Sequence, residues 1–155
     1  MTRSLQEQAS RLLATGFGTG FLWPGPGTWG SLLGVALFVL FLAPLDWRWQ
    51  LAASIGFTIL GTIAAEIAAL ELEGDDPSSI VVDEWAGMWL SMVAIQSASG
   101  WMLAFFLFRT FDILKPFPAG RFERLQGGVG IMADDVVAAG YTQVAVHAAL
   151  WTFGI

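Results

Sequence analysis

The stretch WQLAASIGFTILGTIAAEIAAL, residues 49–70, decides the fold. Its 22 residues carry one charged side chain, Glu66. Wound as an α-helix at 1.5 Å per residue it reaches about 33 Å, enough for the roughly 30 Å hydrocarbon core of a bilayer. Upstream, a second apolar run, Trp29 to Ala43, follows a Gly/Pro-rich segment, stops at Pro44-Leu45-Asp46 and is barely long enough to cross. Downstream, Glu71 to Pro77 forms an acidic loop that leads into Asp83-Glu84, its Pro and Gly arguing against a continuing helix.

Two shorter apolar segments, Trp85 to Gln96 and Trp101 to Phe111, flank Ser97-Ala98-Ser99-Gly100. Each is too short for an easy span and reads as half of a helical hairpin, either entering the membrane partway or buried among the longer helices. A basic loop follows from Lys115 to Met132, holding Lys115, Arg121, Arg124 and the glycines 127, 128 and 130, and the run Val136 to Ile155 closes the chain as one more helix. Met1 to Gly16 sets Arg3, Glu7 and Arg11 among Leu5, Leu12 and Leu13, which suits an interfacial amphipathic helix and lacks the apolar core of a signal peptide. The expected fold is all-α: one domain, residues 1–155, forming a polytopic helical membrane bundle with a short helical hairpin and an N-terminal interfacial helix.

Composition supports this and excludes other classes. Charged residues make up 13% and apolar residues 55% of the 155, with mean hydropathy +0.65, whereas a soluble domain carries about a quarter charged residues. The net charge of −6 disfavours nucleic acid as a partner, because phosphate backbones are held by clustered Lys and Arg. With no cysteine there is no disulfide, thiolate ligand or cysteine nucleophile. The single histidine, His147, cannot build a histidine-rich zinc site, so a metal here must be a hard cation with oxygen ligands.

If every apolar segment crosses or dips and returns, residues 16–28, 71–84 and 109–135 emerge on one face. Six of the seven Lys/Arg residues, all but Arg48, lie in the N-terminus or on that side, and the positive-inside rule makes it cytoplasmic.

Most acidic residues on that face fall in adjacent pairs: Asp75-Asp76, Asp83-Glu84 and Asp134-Asp135. Adjacent carboxylates repel, and holding them with Asp112 at the edge of an apolar phase is costly unless a cation compensates. Mg²⁺ fits, taking one or two carboxylates together with water and substrate phosphate. The plainer alternative is that Asp83 and Asp134 cap the helices that follow them. Together, Asp83-Glu84, Asp112 and Asp134-Asp135 favour the metal site.

GFGTGFLWPGPGTWGS (16–31) places glycines and hydroxyls immediately before a helix. Its free amides, with Thr28 or Ser31, could receive a phosphate oxygen; glycines there also let helices approach closely. Asp112 and Lys115, three apart, would share a helical face, offering a carboxylate for metal and an ammonium for phosphate, or simply an ion pair. Glu66, inside the long helix, is an intramembrane carboxylate near its cytoplasmic end. His147 reads as a packed or interfacial residue. The tryptophans, which mostly flank apolar runs, read as an aromatic belt.

Three blocks, GFGTGFLWPGPGTWGS (16–31), DPSSIVVDEWAGMW (76–89) and FRTFDILKPFP through GGVGIMADDVVAAG (108–140), together resemble the phosphatidylglycerophosphatase A family. The resemblance implies a helical enzyme of the bacterial inner membrane that hydrolyses phosphatidylglycerol phosphate in the bilayer to phosphatidylglycerol and inorganic phosphate with Mg²⁺, its site facing the cytoplasm. Residues matching the blocks are Thr28, Ser31, Asp76, Asp83, Glu84, Asp112, Lys115, Asp134 and Asp135. The expected metal ligands come from Asp83, Glu84, Asp112, Asp134 and Asp135. Asp83, Asp135 and Lys115 are the expected catalytic groups, and Thr28, Ser31, Arg109, Lys115 and Arg121 meet the substrate. Two other classes remain in play: a cation channel or carrier, which predicts carboxylates spread through the membrane depth, and a non-catalytic membrane scaffold, which predicts no metal dependence.

Overall fold

The computed structural model describes residues 4–71, 77–122 and 125–154. Asp75, Asp76, Arg3 and Arg124 fall outside them. Every element among the described residues is helical: α1 (Leu5–Ala14), α2 (Pro26–Leu37, running on through a π-helical turn at Phe38–Leu42), α3 (Trp47–Glu71), α4 (Val82–Met92), α5 (Ala98–Leu114), α6 (Ala119–Phe122) and α7 (Gly127–Phe153).

The short helix α4 lies at the centre. Val82, Ala86, Met88 and Met92 are fully buried and Trp85 nearly so, packed against α2, α3, α5 and α7. Its first half of the expected hairpin is therefore the buried alternative, enclosed by longer helices instead of facing lipid. Small residues make this possible. An added Cβ on Gly34 would sit 3.2 Å from Trp85 Cα, and on Gly30 2.8 Å from Val81 Cβ, so α2 meets α4 nearly backbone to backbone. On the opposite side of α4, an added Cβ on Gly87 would be 2.5 Å from the Phe108 ring and 3.3 Å from Asp135 Cβ.

One correction concerns α7. Residues 127–132, expected in a loop, form its first turns, so Asp134 and Asp135 lie within a helix and not at its boundary. Glycine costs helix interiors up to about 1 kcal/mol each, and tertiary contact outweighs it here. A Cβ on Gly128 would overlap the Thr62 carbonyl of α3, while the Glu66 carboxylate accepts a hydrogen bond from Gly128 N. Glu66 thus supplies from α3 the partner that α7's first turn lacks. Capping by Asp83 is likewise absent: the N-cap of α4 is Val81, and Asp83 and Glu84 sit in its first turn.

The outside is apolar. Ile55, Ile59 and Ile63 of α3, Met102 and Phe106 of α5, and Val144 and Trp151 of α7 are exposed. Trp47–Leu70 and Gly127–Phe153 are long and apolar enough to span a bilayer, and only 28% and 22% of their most apolar windows are buried, the reverse of a soluble core helix. Trp47, Trp49 and Trp151 are exposed at helix ends as a belt requires. Trp85 departs from that expectation, stacking on Phe57 in the interior at 5.7 Å. At the end remote from the acidic residues, buried Gln50 donates to Leu45 O at 3.0 Å and accepts from Ala94 N at 2.9 Å, tying α3 to the turn after α4.

Candidate functional site

The chain alternates direction, so α2, α4 and α7 begin, and α3 and α5 end, at one pole of the bundle. The acidic residues gather there. Glu84 projects from the first turn of α4, Asp112 from the last turn of α5 and Asp135 from the third turn of α7, and one carboxylate oxygen from each lies within 4.8 Å of the others. Glu84 and Asp135 are buried, the latter 2% exposed. Asp83 and Asp134 stand beside this triad, facing a cavity of about 330 Å³ lined also by Lys115, Gly127 and Gly130.

Among the described residues, two cations answer the five carboxylates. Arg109 Nη1 pairs with Glu84 and, at 2.8 Å, with Asp112 one turn further along α5. Lys115 Nζ pairs with Asp134 Oδ2 at 2.8 Å. Lys115 shares the acidic pole with Asp112 but not its helical face: it is the C-cap of α5, in the left-handed region at φ +44°, which turns its side chain towards α7. Tyr141 holds the following segment, donating to Phe117 O at 2.8 Å.

Among the described residues carboxylates outnumber cations at this pole. Asp83 Oδ1 and Asp135 Oδ2 are buried without a hydrogen-bond partner, at a pole where each carboxylate feels the others. Burial, and next the charge of Glu84, push the Asp83 carboxyl well above its usual range. Burial likewise raises Glu84 from 4.5 to about 7; Arg109 opposes the rise and Asp112 adds to it. Converging buried oxygens with unused lone pairs are the donor set a hard divalent cation takes, and the residues present fit one.

Ser31 is buried, its hydroxyl 2.9 Å from Glu84 Oε2, so in this arrangement it serves a carboxylate. Thr28 is exposed on the first turn of α2, and a Cβ on Gly27 would overlap Glu84 Oε1; there the glycines admit Glu84 against α2. Arg121 lies apart, its guanidinium over the Phe117 ring at 4.6 Å. His147 is exposed on α7, about 18 Å further along the helix from Asp135. Sequence reasoning missed the Arg109 bridge and the use of Glu66 to support α7. The signal for both was the same: a charged residue inside an apolar helix must meet a partner.

The class defined by this fold and site is a helical bundle with a buried acidic pole suited to cation-assisted phosphate chemistry. The chain belongs to the family described as phosphatidylglycerophosphatase A, which it matches over residues 12–150. It is 46% identical over 140 residues to "Phosphatidylglycerophosphatase A" of Haemophilus influenzae, covering 88% of this chain and 86% of the relative. The protein of that name in Escherichia coli is 39% identical over 131 residues, 82% and 75% of the two chains. A Bacteroides thetaiotaomicron protein named "Putative phosphatidylinositol-3-phosphatase" is 39% identical over 150 residues, 92% and 94%. No solved structure matches the chain.

Proposed function

We propose that this protein hydrolyses the terminal phosphomonoester of phosphatidylglycerol phosphate, giving phosphatidylglycerol and inorganic phosphate, at a Mg²⁺-dependent site on the cytoplasmic face of a bacterial inner membrane. The observation that carries the reading is the approach of Glu84, Asp112 and Asp135 within 4.8 Å in a chain of this family.

Glu84, Asp112 and Asp135 would hold the cation, with Asp83 and Asp134 completing the set around water and phosphate. Bound there, Mg²⁺ supplies charge neutralisation at the phosphoryl oxygens and a more acidic water. Asp83 would take a proton from water or attack phosphorus, a role supported by its unpartnered oxygen and its position in the cavity lining. Lys115, at the same cavity, would stabilise charge on the transferred group. Directly, or by cleaving a phosphorylated Asp83 in a second step, a water oxygen becomes bonded to phosphorus; the phosphorus–oxygen bond to the headgroup glycerol breaks, and the departing oxygen takes up a proton. The acyl chains stay in lipid. Arg11, Arg109, Lys115 and Arg121 belong to the acidic pole or the segments joined to it, and Arg48 starts α3 at the opposite one, which supports the cytoplasmic orientation.

Carboxylates collected at one pole weigh against an ion pathway, which needs them through the membrane depth. The test is phosphate release by purified protein in lipid-detergent micelles, with Mg²⁺ or with chelator, on phosphatidylglycerol phosphate and on phosphatidylinositol 3-phosphate. Metal-dependent release from the first at a higher kcat/KM supports the proposal. Preference for the second moves the substrate to the reading suggested by the Bacteroides relative's name, and no release from either removes the enzyme.

A further inference from the structure

We propose that Arg109 is a displaceable counter-ion: it occupies the acidic centre in the metal-free protein, gives up Glu84 and Asp112 to the divalent cation, and turns its guanidinium to the substrate phosphate. This rests on the proposed metal centre and adds to it an exchange between two cations.

A single nitrogen, Arg109 Nη1, bridges Glu84 and Asp112, two of the three carboxylates whose oxygens converge. Arg109 and both partners are largely enclosed, their side chains 16%, 12% and 14% exposed, so water screens little of what happens between them. The third carboxylate, Asp135, keeps Oδ2 buried with no partner. The guanidinium therefore covers two sides of the centre and leaves the third unused, as expected of a group that stands in for another ligand. Two cations confined to the same carboxylates repel.

Arg109 also touches a third helix. The ideal Cβ position on Gly27 lies 3.2 Å from Nη1, so the guanidinium rests against the opening turn of α2. Guanidinium binds phosphate in a fork as readily as carboxylate. A phosphate arriving there takes over the guanidinium as the carboxylates lose it, and binding of metal and of anion become mutually reinforcing.

Mn²⁺ binding, followed by the loss of its free-ion paramagnetic resonance signal in purified wild-type and Arg109→Met protein without substrate, tests the exchange. Removing the competitor should tighten Mn²⁺ binding at least tenfold, and Mn²⁺ should raise the affinity of wild-type protein for inorganic phosphate several-fold more than that of Arg109→Met. Equal or weaker Mn²⁺ binding by the variant, with saturation at the wild-type stoichiometry showing an intact centre, overturns the exchange and leaves the metal site standing. Failure of the wild-type protein to bind Mn²⁺ overturns both. Arg109→Lys, which keeps charge but not the fork, should bind Mn²⁺ more nearly as wild type while losing the phosphate coupling.

Discussion

Ser31 Oγ lies 2.9 Å from Glu84 Oε2 and 2.9 Å from Gly27 O, joining the N-terminal halves of α2 and α4 through residues 53 apart in sequence. Its one proton serves one acceptor at a time: the ionised carboxylate when Glu84 is charged, the backbone carbonyl when Glu84 carries its own proton. The hydroxyl therefore favours the charged form of a group that burial pushes towards neutrality.

Ser31→Ala should accordingly act through Glu84. Loss of a hydrogen bond to a charged group costs about 1.5–3 kcal/mol, so kcat should fall about ten- to a hundredfold with little change in KM. A raised KM with kcat preserved would instead place Ser31 on the substrate.

Asp135→Asn should nearly abolish phosphate release, by at least about a thousandfold. In metal-free protein the same change removes one of several mutually repelling charges and should raise the melting temperature. Loss of activity together with a gain in metal-free stability separates a functional carboxylate from a structural one. A drop in both would mean that Asp135 supports the fold.

Lys115 combines two separable properties. Its φ of +44° suits glycine, and its ammonium lies 2.8 Å from Asp134. Lys115→Gly should relieve about 1 kcal/mol of backbone strain, partly offsetting the lost ion pair, while Lys115→Ala keeps the strain. Both should lose activity to a similar extent. If the glycine variant alone kept wild-type turnover, the ammonium would have no part in the chemistry.

The sequence's apolar lengths made the long helix α3 and the acidic pole legible, because both follow from local composition. The start of α7 was not, since Gly127, Gly128 and Gly130 carry loop propensity and only the approach of α3, with Glu66 reaching Gly128 N, makes a helix favourable there. The direction of the Lys115 side chain is hidden for a related reason: three-residue spacing implies a shared face only while the helix lasts, and α5 stops at Leu114. Glu84, Asp112 and Asp135 could be named as candidates from their types and neighbours. Their convergence depends on Gly34 and Gly87 letting α4 sit between α2 and α5, which is a property of packing and invisible to spacing along the chain.

That packing is testable at Gly87. A valine there drives its Cβ into the Phe108 ring at 2.5 Å and presses on Asp135 at 3.3 Å. Overpacking costs about 1–3 kcal/mol. Gly87→Val should lower the melting temperature and weaken metal binding together, whereas Gly56→Val, at a position with open space around it, should do neither.

The acidic pole should also set how stability depends on pH. Glu84 titrates at 4.5 in an unfolded chain and at about 7 when folded. Between these values the folded protein holds a proton that the unfolded chain has released, so stability is present below pH 4.5 and is lost as pH rises through 7. The loss approaches about 3 kcal/mol for Glu84 alone, and Asp83, raised in the same direction, adds to it. A divalent cation reverses the trend, since it binds only the ionised carboxylates and only in the folded state. Melting temperatures in chelator should therefore fall from pH 5 to pH 8, and the stabilisation by added Mg²⁺ should grow over the same range. A melting temperature that climbs with pH in chelator would show that Arg109 and Lys115 already neutralise the pole, leaving no charge for a metal to answer.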